Sequence, residues 1–207
     1  MRMTRLTDIF SMAAAMLIFA VAGAAAQGGD RLQKGIEAHN AALAGDEGRI
    51  AVALALLGPE GWDRPPLALA YHGSVITLQA SQAKREGKLM KALGLIDAGT
   101  KEIDRALDSD RANLELRTLR MENSLVLYEA SPIDRRKLAV EDLACLRTRW
   151  AELKPEARSA VELDSGRLSL ADKRLDEAFA FWRKAVREAP GSDAAARARK
   201  LLARYGD

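Results

Sequence analysis

The sequence predicts an all-α protein built from antiparallel helix pairs, on three observations. Apolar residues recur at helical spacing almost throughout, and no segment alternates with period two for long enough to form a strand. The composition is rich in Ala and Leu with only 5% aromatic residues, and both are strong helix formers. Gly and Pro clusters separate the periodic segments by only a few residues, and short links force neighbouring helices antiparallel. With 207 residues, 48% hydrophobic and 29% charged, the balance is that of a globular chain.

The first segment, MRMTRLTDIFSMAAAMLIFAVAGAAA, reads as an export signal. Arg2 and Arg5 supply the positive start, Phe10 to Ala22 the apolar stretch, and Ala24-Ala25-Ala26 the small residues read by a signal peptidase. Cleavage is expected after Ala26, giving residues 1–26 as signal peptide and the periplasm as destination. The alternative is an uncleaved anchor, since Ile9 to Ala26 just reaches spanning length. Residues 27–65 form an N-terminal helical segment and joint. Two helices, Arg31 to Ala44 and Arg49 to Leu57, flank the turn-like Gly45-Asp46-Glu47-Gly48, and GPEGWDRPP follows. Trp62, inside that joint, is expected to plug the end of a core.

Residues 66–207 form the main helical domain. Leu67 to Glu86 and Lys88 to Leu107 are helices, the second with Ala92, Leu95, Ile96, Gly99, Ile103, Ala106 and Leu107 on one stripe. Leu114 to Tyr128 is the next helix, broken at Ser131-Pro132. Another starts near Ile133 and carries Ala139, Leu143, Leu146 and Trp150 on one face until Lys154-Pro155. Ser159 to Leu170, Lys173 to Glu188 and Ser192 to Tyr205 complete the set. Two architectures fit these helices: an open stack of pairs and a closed bundle.

The charge pattern selects no nucleic-acid partner. The net charge is only +3, and basic residues alternate with acidic ones, as in EIDRALDSDR. No cofactor or metal is indicated. His39 and His72 have no partner histidine at ligating spacing, and a single cysteine, Cys145, makes neither an internal disulfide nor a thiolate site. Cys145 reads as a packed thiol or an intermolecular bridge. No Gly-rich phosphate loop or nucleophile elbow is present. Enzyme activity is therefore not expected, unless carboxylates cluster with His39 or His72 in space.

One stretch carries a more specific pattern. In GRLSLADKRLDEAFAFWRKAVREAP, Gly166 is followed by Ala178, Trp182, Ala185 and Pro190. This spacing resembles the tetratricopeptide repeat, a helix–turn–helix unit of about 34 residues. Glu162, Ser165 and Ser169 stand where that family carries large apolar or aromatic residues. Fainter echoes lie upstream, around Ile103, Ala106 and DRAN, with Gly87 at the equivalent of Gly166, and again at Ala139, Leu143 and Leu146. Ser192 to Tyr205 resembles the lone helix that closes such arrays, with Arg197, Arg199, Lys200 and Arg204 on its outer face.

The resemblance implies a short solenoid with a C-terminal capping helix and a concave face made by the first helix of each pair. It also implies a non-enzymatic scaffold binding another periplasmic or envelope protein, in assembly or maturation of an envelope complex or exported redox enzyme. Arg117, Arg120 and Asn123, three apart on one helix face, and Arg167 are the expected contacts, suited to carboxylates. Membrane contact is expected only if the N-terminal segment stays uncleaved. A closed bundle would instead bind a small ligand or lipid.

Overall fold

The computed structural model describes residues 26–58, 64–131 and 133–206. Trp62 and all but the last residue of the expected signal segment lie outside them. The described residues form nine α-helices and one 3-10 turn, with no strand. The helices are α1 (Ala26–Leu43), α2 (Gly48–Leu57), α3 (Pro66–Arg85), α4 (Leu89–Ser109), α5 (Leu114–Ala130), α6 (Arg136–Thr148), α7 (Pro155–Ala171), α8 (Leu175–Glu188) and α9 (Asp193–Tyr205). The all-α expectation and helix-pair packing are both seen. Pro155 starts α7 instead of merely ending the previous helix, because proline at the first helical position loses no hydrogen bond. Trp150 leaves the apolar stripe assigned to it: α6 ends at Thr148, and Trp150–Glu152 is the 3-10 turn.

The chain divides into two compact units, up to Leu119 and from Arg120 onward, the division falling inside α5. In the first unit, α3 and α4 form the closest pair, and α1 and α2 pack on each other and on α3. The core there includes Ile36, Leu57, Tyr71, Val75, Ile103, Leu116 and Leu119. A Cβ added to Gly73 would sit 2.4 Å from the Gly99 carbonyl oxygen, and one added to Gly99 equally close to that of Gly73. The two backbones therefore touch, and only glycine permits it. In the second unit, α7 packs on α8, and α9 covers both. Trp182 is fully buried there, as are Ala178, Ala185, Ala195 and Ala198. A Cβ on Gly166 would lie 2.4 Å from Trp182 Nε1, so the Gly–Trp spacing in the sequence is a real contact.

Three hairpins close with one turn. In the α1–α2 turn, Asp46 N donates to Ala41 O and Gly45 N to Ala42 O. In the α3–α4 turn, Lys88 N donates to Ala83 O and Gly87 N to Lys84 O. In the α7–α8 turn, Arg174 N donates to Ser169 O and Lys173 N to Leu170 O. This is the Schellman pattern, with its left-handed residue at Gly45 (φ 111°), Gly87 (φ 76°) and Lys173 (φ 62°). The first interval is 42 residues and the second 86, about twice as long.

The α3–α4 and α7–α8 hairpins then correspond position by position. Ala92 matches Ala178, Ile96 matches Trp182, Gly99 matches Ala185 and Gly73 matches Ser159, whose hydroxyl donates to the Ala185 carbonyl at 2.8 Å. The expected equivalence of Gly87 with Gly166 is corrected by this register. Gly87 is the turn residue matching Lys173, whereas Gly166 lies inside α7.

Candidate functional site

Arg120 and Arg167, two of the four expected contact residues, are engaged internally. Arg120 reaches from α5 to α6, donating through Nε to Asp142 Oδ2 at 2.7 Å and through Nη2 to Oδ1 at 2.8 Å. Asp142 is fully buried. Arg167 on α7 donates to both carboxylate oxygens of Glu129 on α5, at 3.1 and 2.6 Å, and to Asp164 at 2.7 Å. Burial would lower its pKa, but the two carboxylates more than offset this and raise it. Asn123 is half-buried one turn beyond Arg120 on α5. Arg117, also half-buried, lies in the first unit and donates through Nε to the Arg111 carbonyl at 3.1 Å.

The polar face of α5 is thus matched from three helices. Asp142 comes from α6, Arg167 from α7, and Arg197 from α9 lies 3.6 Å from Glu122. Arg197, expected on the outer face of α9, is largely buried. Burial pushes the Glu122 carboxyl up to about 7, outweighing the pull of Arg197. Glu162, Ser165 and Ser169, the departures from the repeat pattern, are all buried. Arg147 accounts for two of them, donating to the Glu162 carboxylate at 3.0 Å and to Ser165 Oγ at 2.8 Å.

Arg147 also belongs to an arrangement that sequence reasoning missed. Its guanidinium lies 5.6 Å from the Trp150 ring centroid and 5.3 Å from that of Phe181. Arg158 lies 5.7 Å from the Trp150 ring, and Lys184 Nζ lies 5.2 Å from that of Phe181. Cations and rings alternate along this run, Arg158–Trp150–Arg147–Phe181–Lys184, at cation–π distances. Both rings are only half-buried. Arg158 is anchored by its Nε–H to the Trp150 carbonyl at 3.1 Å. The sequence shows only a Trp close to Arg147 and Arg149, and its spacing assigned that Trp to the apolar face of the helix.

The two histidines have different surroundings. His39 is fully buried, with Nε2 2.9 Å from Ser74 Oγ, Nδ1 2.9 Å from Asn40 Oδ1 and the Tyr71 ring edge-on at 5.1 Å. Burial lowers its pKa to about 4, so it is neutral near pH 7. The Ser–His–Asn grouping has the bonding of a nucleophile and its base, but Ser74 is itself buried on α3. His72 does cluster with a carboxylate: Nδ1 lies 2.5 Å from Glu102 Oε2, and Arg64 approaches both. A Cβ on Gly58 would meet His72 Nε2 at 2.3 Å, so this trio ties both ends of the Pro-rich joint to α3 and α4. Burial alone would raise the Glu102 carboxyl, but the hydrogen bond and charge of His72, with the charge of Arg64, hold it below its ordinary range.

Tyr71 is core, with its hydroxyl donating to Glu115 at 3.0 Å. Cys145 is a half-buried free thiol. Among the described residues no three His, Cys, Asp or Glu side chains group as a metal site. A groove of about 350 Å³ runs along α1 and α2, lined by Lys34, Ala38, Ala41, Arg49, Val52 and Leu56 among others. No family model, curated protein or solved structure matches the chain.

Proposed function

We propose that the protein is a non-enzymatic helical-hairpin scaffold, exported to the periplasm, that binds another envelope protein. The observation that carries this reading is the half-exposed cation–π run Arg158–Trp150–Arg147–Phe181–Lys184. Trp and Arg are the residue types that dominate binding energy at protein interfaces, and rigid aromatic anchors lose little entropy on docking. Here Trp150 lies within cation–π distance of two guanidinium groups, which restricts its ring before a partner arrives. Three of the five members are cations and, among the described residues, only Arg147 is also held by a carboxylate, Glu162, which suits a partner segment carrying Asp or Glu.

Repeated hairpins support the same reading, because such arrays present extended surfaces instead of one enclosed pocket. Within it, Arg120 and Arg167 serve as internal clamps that hold α5, α6 and α7 in register. Arg117 and Asn123 stay as secondary candidate contacts.

The test is affinity capture from envelope extract with the protein as bait, comparing Trp150→Ala and Phe181→Ala with wild type. A specific partner retained by wild type and weakened at least about 30-fold by Trp150→Ala is expected, the effect of a hot-spot residue. Equal capture by both variants removes the run from the proposal, and no specific partner removes the function.

A further inference from the structure

We infer that the α3–α4 turn is a docking surface for an anionic lipid membrane. Leu89, Met90 and Leu93 are 59%, 80% and 38% exposed. They are spaced so that Leu93 neighbours both of the others on the first turns of α4. Around them, the eight residues Lys84 to Lys91 hold four basic side chains against the single acid Glu86. Glu86 pairs with Lys88, and Glu47 of the α1–α2 turn with Arg85. Positive charge stays in excess around three exposed apolar side chains.

The matched hairpin shows that this composition is not required by the turn. At the same register, Arg174-Leu175-Asp176-Glu177 leads into α8, where Lys88-Leu89-Met90-Lys91 leads into α4. Acidic residues in a first turn suit the helix dipole, and α8 has two, whereas α4 has none. Phe179, which matches Leu93, is packed against Trp182. The α3–α4 turn therefore gives up favourable helix electrostatics and leaves apolar side chains in water. An anionic surface would reverse both costs, because it meets the lysines and the positive helix end while the acyl boundary takes the three side chains.

A protein partner fits less well. Three clustered side chains are far fewer than the roughly 20–30 residues a side of a specific protein–protein interface. A membrane adds small apolar insertions to charge attraction without needing that area. This attachment is separate from the N-terminal route considered in the sequence and does not rest on the cation–π run.

The experiment uses the full chain with Cys145→Ser and a single environment-sensitive label, at Met90→Cys or at Asp108→Cys, about 27 Å away along α4. Vesicles are phosphatidylcholine with or without phosphatidylglycerol, both carrying brominated acyl chains as quencher. Quenching at position 90, but not at 108, is expected on the phosphatidylglycerol vesicles alone. Lys88→Gln and Lys91→Gln should each weaken the binding that gives this quenching about fivefold. Leu93→Asp should abolish the quenching while leaving the circular dichroism unchanged. No quenching at 90, equal quenching at 90 and 108, equal quenching on both vesicle types, or no effect of Leu93→Asp overturns the inference. So does self-association through the patch without quenching. The local readout holds whether or not the N-terminal segment touches the bilayer, and Trp150→Ala should leave it unchanged.

Discussion

Glu122 and His39 are buried ionisable groups that make opposite demands on pH. The folded Glu122 carboxyl titrates near 7 against an ordinary 4.5, because burial penalises the carboxylate. Between those values the native chain holds a proton that the unfolded chain has lost, so this contribution to stability falls as pH rises through the window. His39 titrates near 4 against an ordinary 6.5. There the unfolded chain takes up the proton first, so this contribution is complete above 6.5 and is lost as pH falls towards 4. The two slopes oppose each other over their shared range. Glu122→Gln is expected to gain stability relative to wild type as pH rises from about 4.5 to 7, and His39→Gln as pH falls from about 6.5 to 4. Urea unfolding midpoints of each variant against wild type, at the two ends of its window, check both signs. A flat difference for either variant contradicts the assigned cause.

At the scale of the element, the turns and crossings make reciprocal predictions. Lys173 holds a left-handed conformation that costs an L-residue roughly 1–2 kcal/mol, and its counterpart in the matched hairpin is Gly87. Lys173→Gly should therefore stabilise the chain by about 0.5–1 kcal/mol and Gly87→Lys should destabilise it by a similar amount, both measured by chemical denaturation. Gly166→Ala forces a methyl against the Trp182 indole and should cost about 1–3 kcal/mol. In a Trp182→Phe background the nearest indole atoms are gone, so the same change should cost less, and a double-mutant cycle reads the difference.

These elements were largely legible in the sequence, because the helical period and the Gly and Pro breakers are local signals. The turn equivalence is not readable from the sequence, because one of its three left-handed positions is a lysine, which no propensity marks. The ion pairs were hidden for another reason. Arg120 finds Asp142 across 22 positions, Arg167 finds Glu129 across 38, and no spacing rule joins them. Glu162, Ser165 and Ser169 were the one usable hint, since polar residues where the spacing predicts a buried helix face require buried partners.

Over the whole molecule, the open question from the sequence was a stack of pairs against a common-centred bundle, and energetics separates them. Each unit carries its own apolar cluster: one contains Tyr71, Ile103 and Leu119, another Leu125, Ala139 and Leu168. The Trp182 packing, with Gly166, Phe179 and Tyr205 around it, also lies entirely in the second unit. In a chain of nearest-neighbour hairpins, damage at one joint lowers local stability first and reaches distant hairpins only through intervening interfaces. In a single cooperative core it lowers protection everywhere at once. Trp182→Ala should remove about 3–5 kcal/mol from its site. Native-state hydrogen exchange is then expected to show faster exchange in α7, α8 and α9, while the amides of α3 and α4, held by the Gly73–Gly99 contact, keep most of their protection. Loss of equal size in all five helices would show one cooperative core. The repeated hairpins would then be a geometric pattern only, and the extended surface on which the scaffold reading depends would have no separate hairpins to carry it.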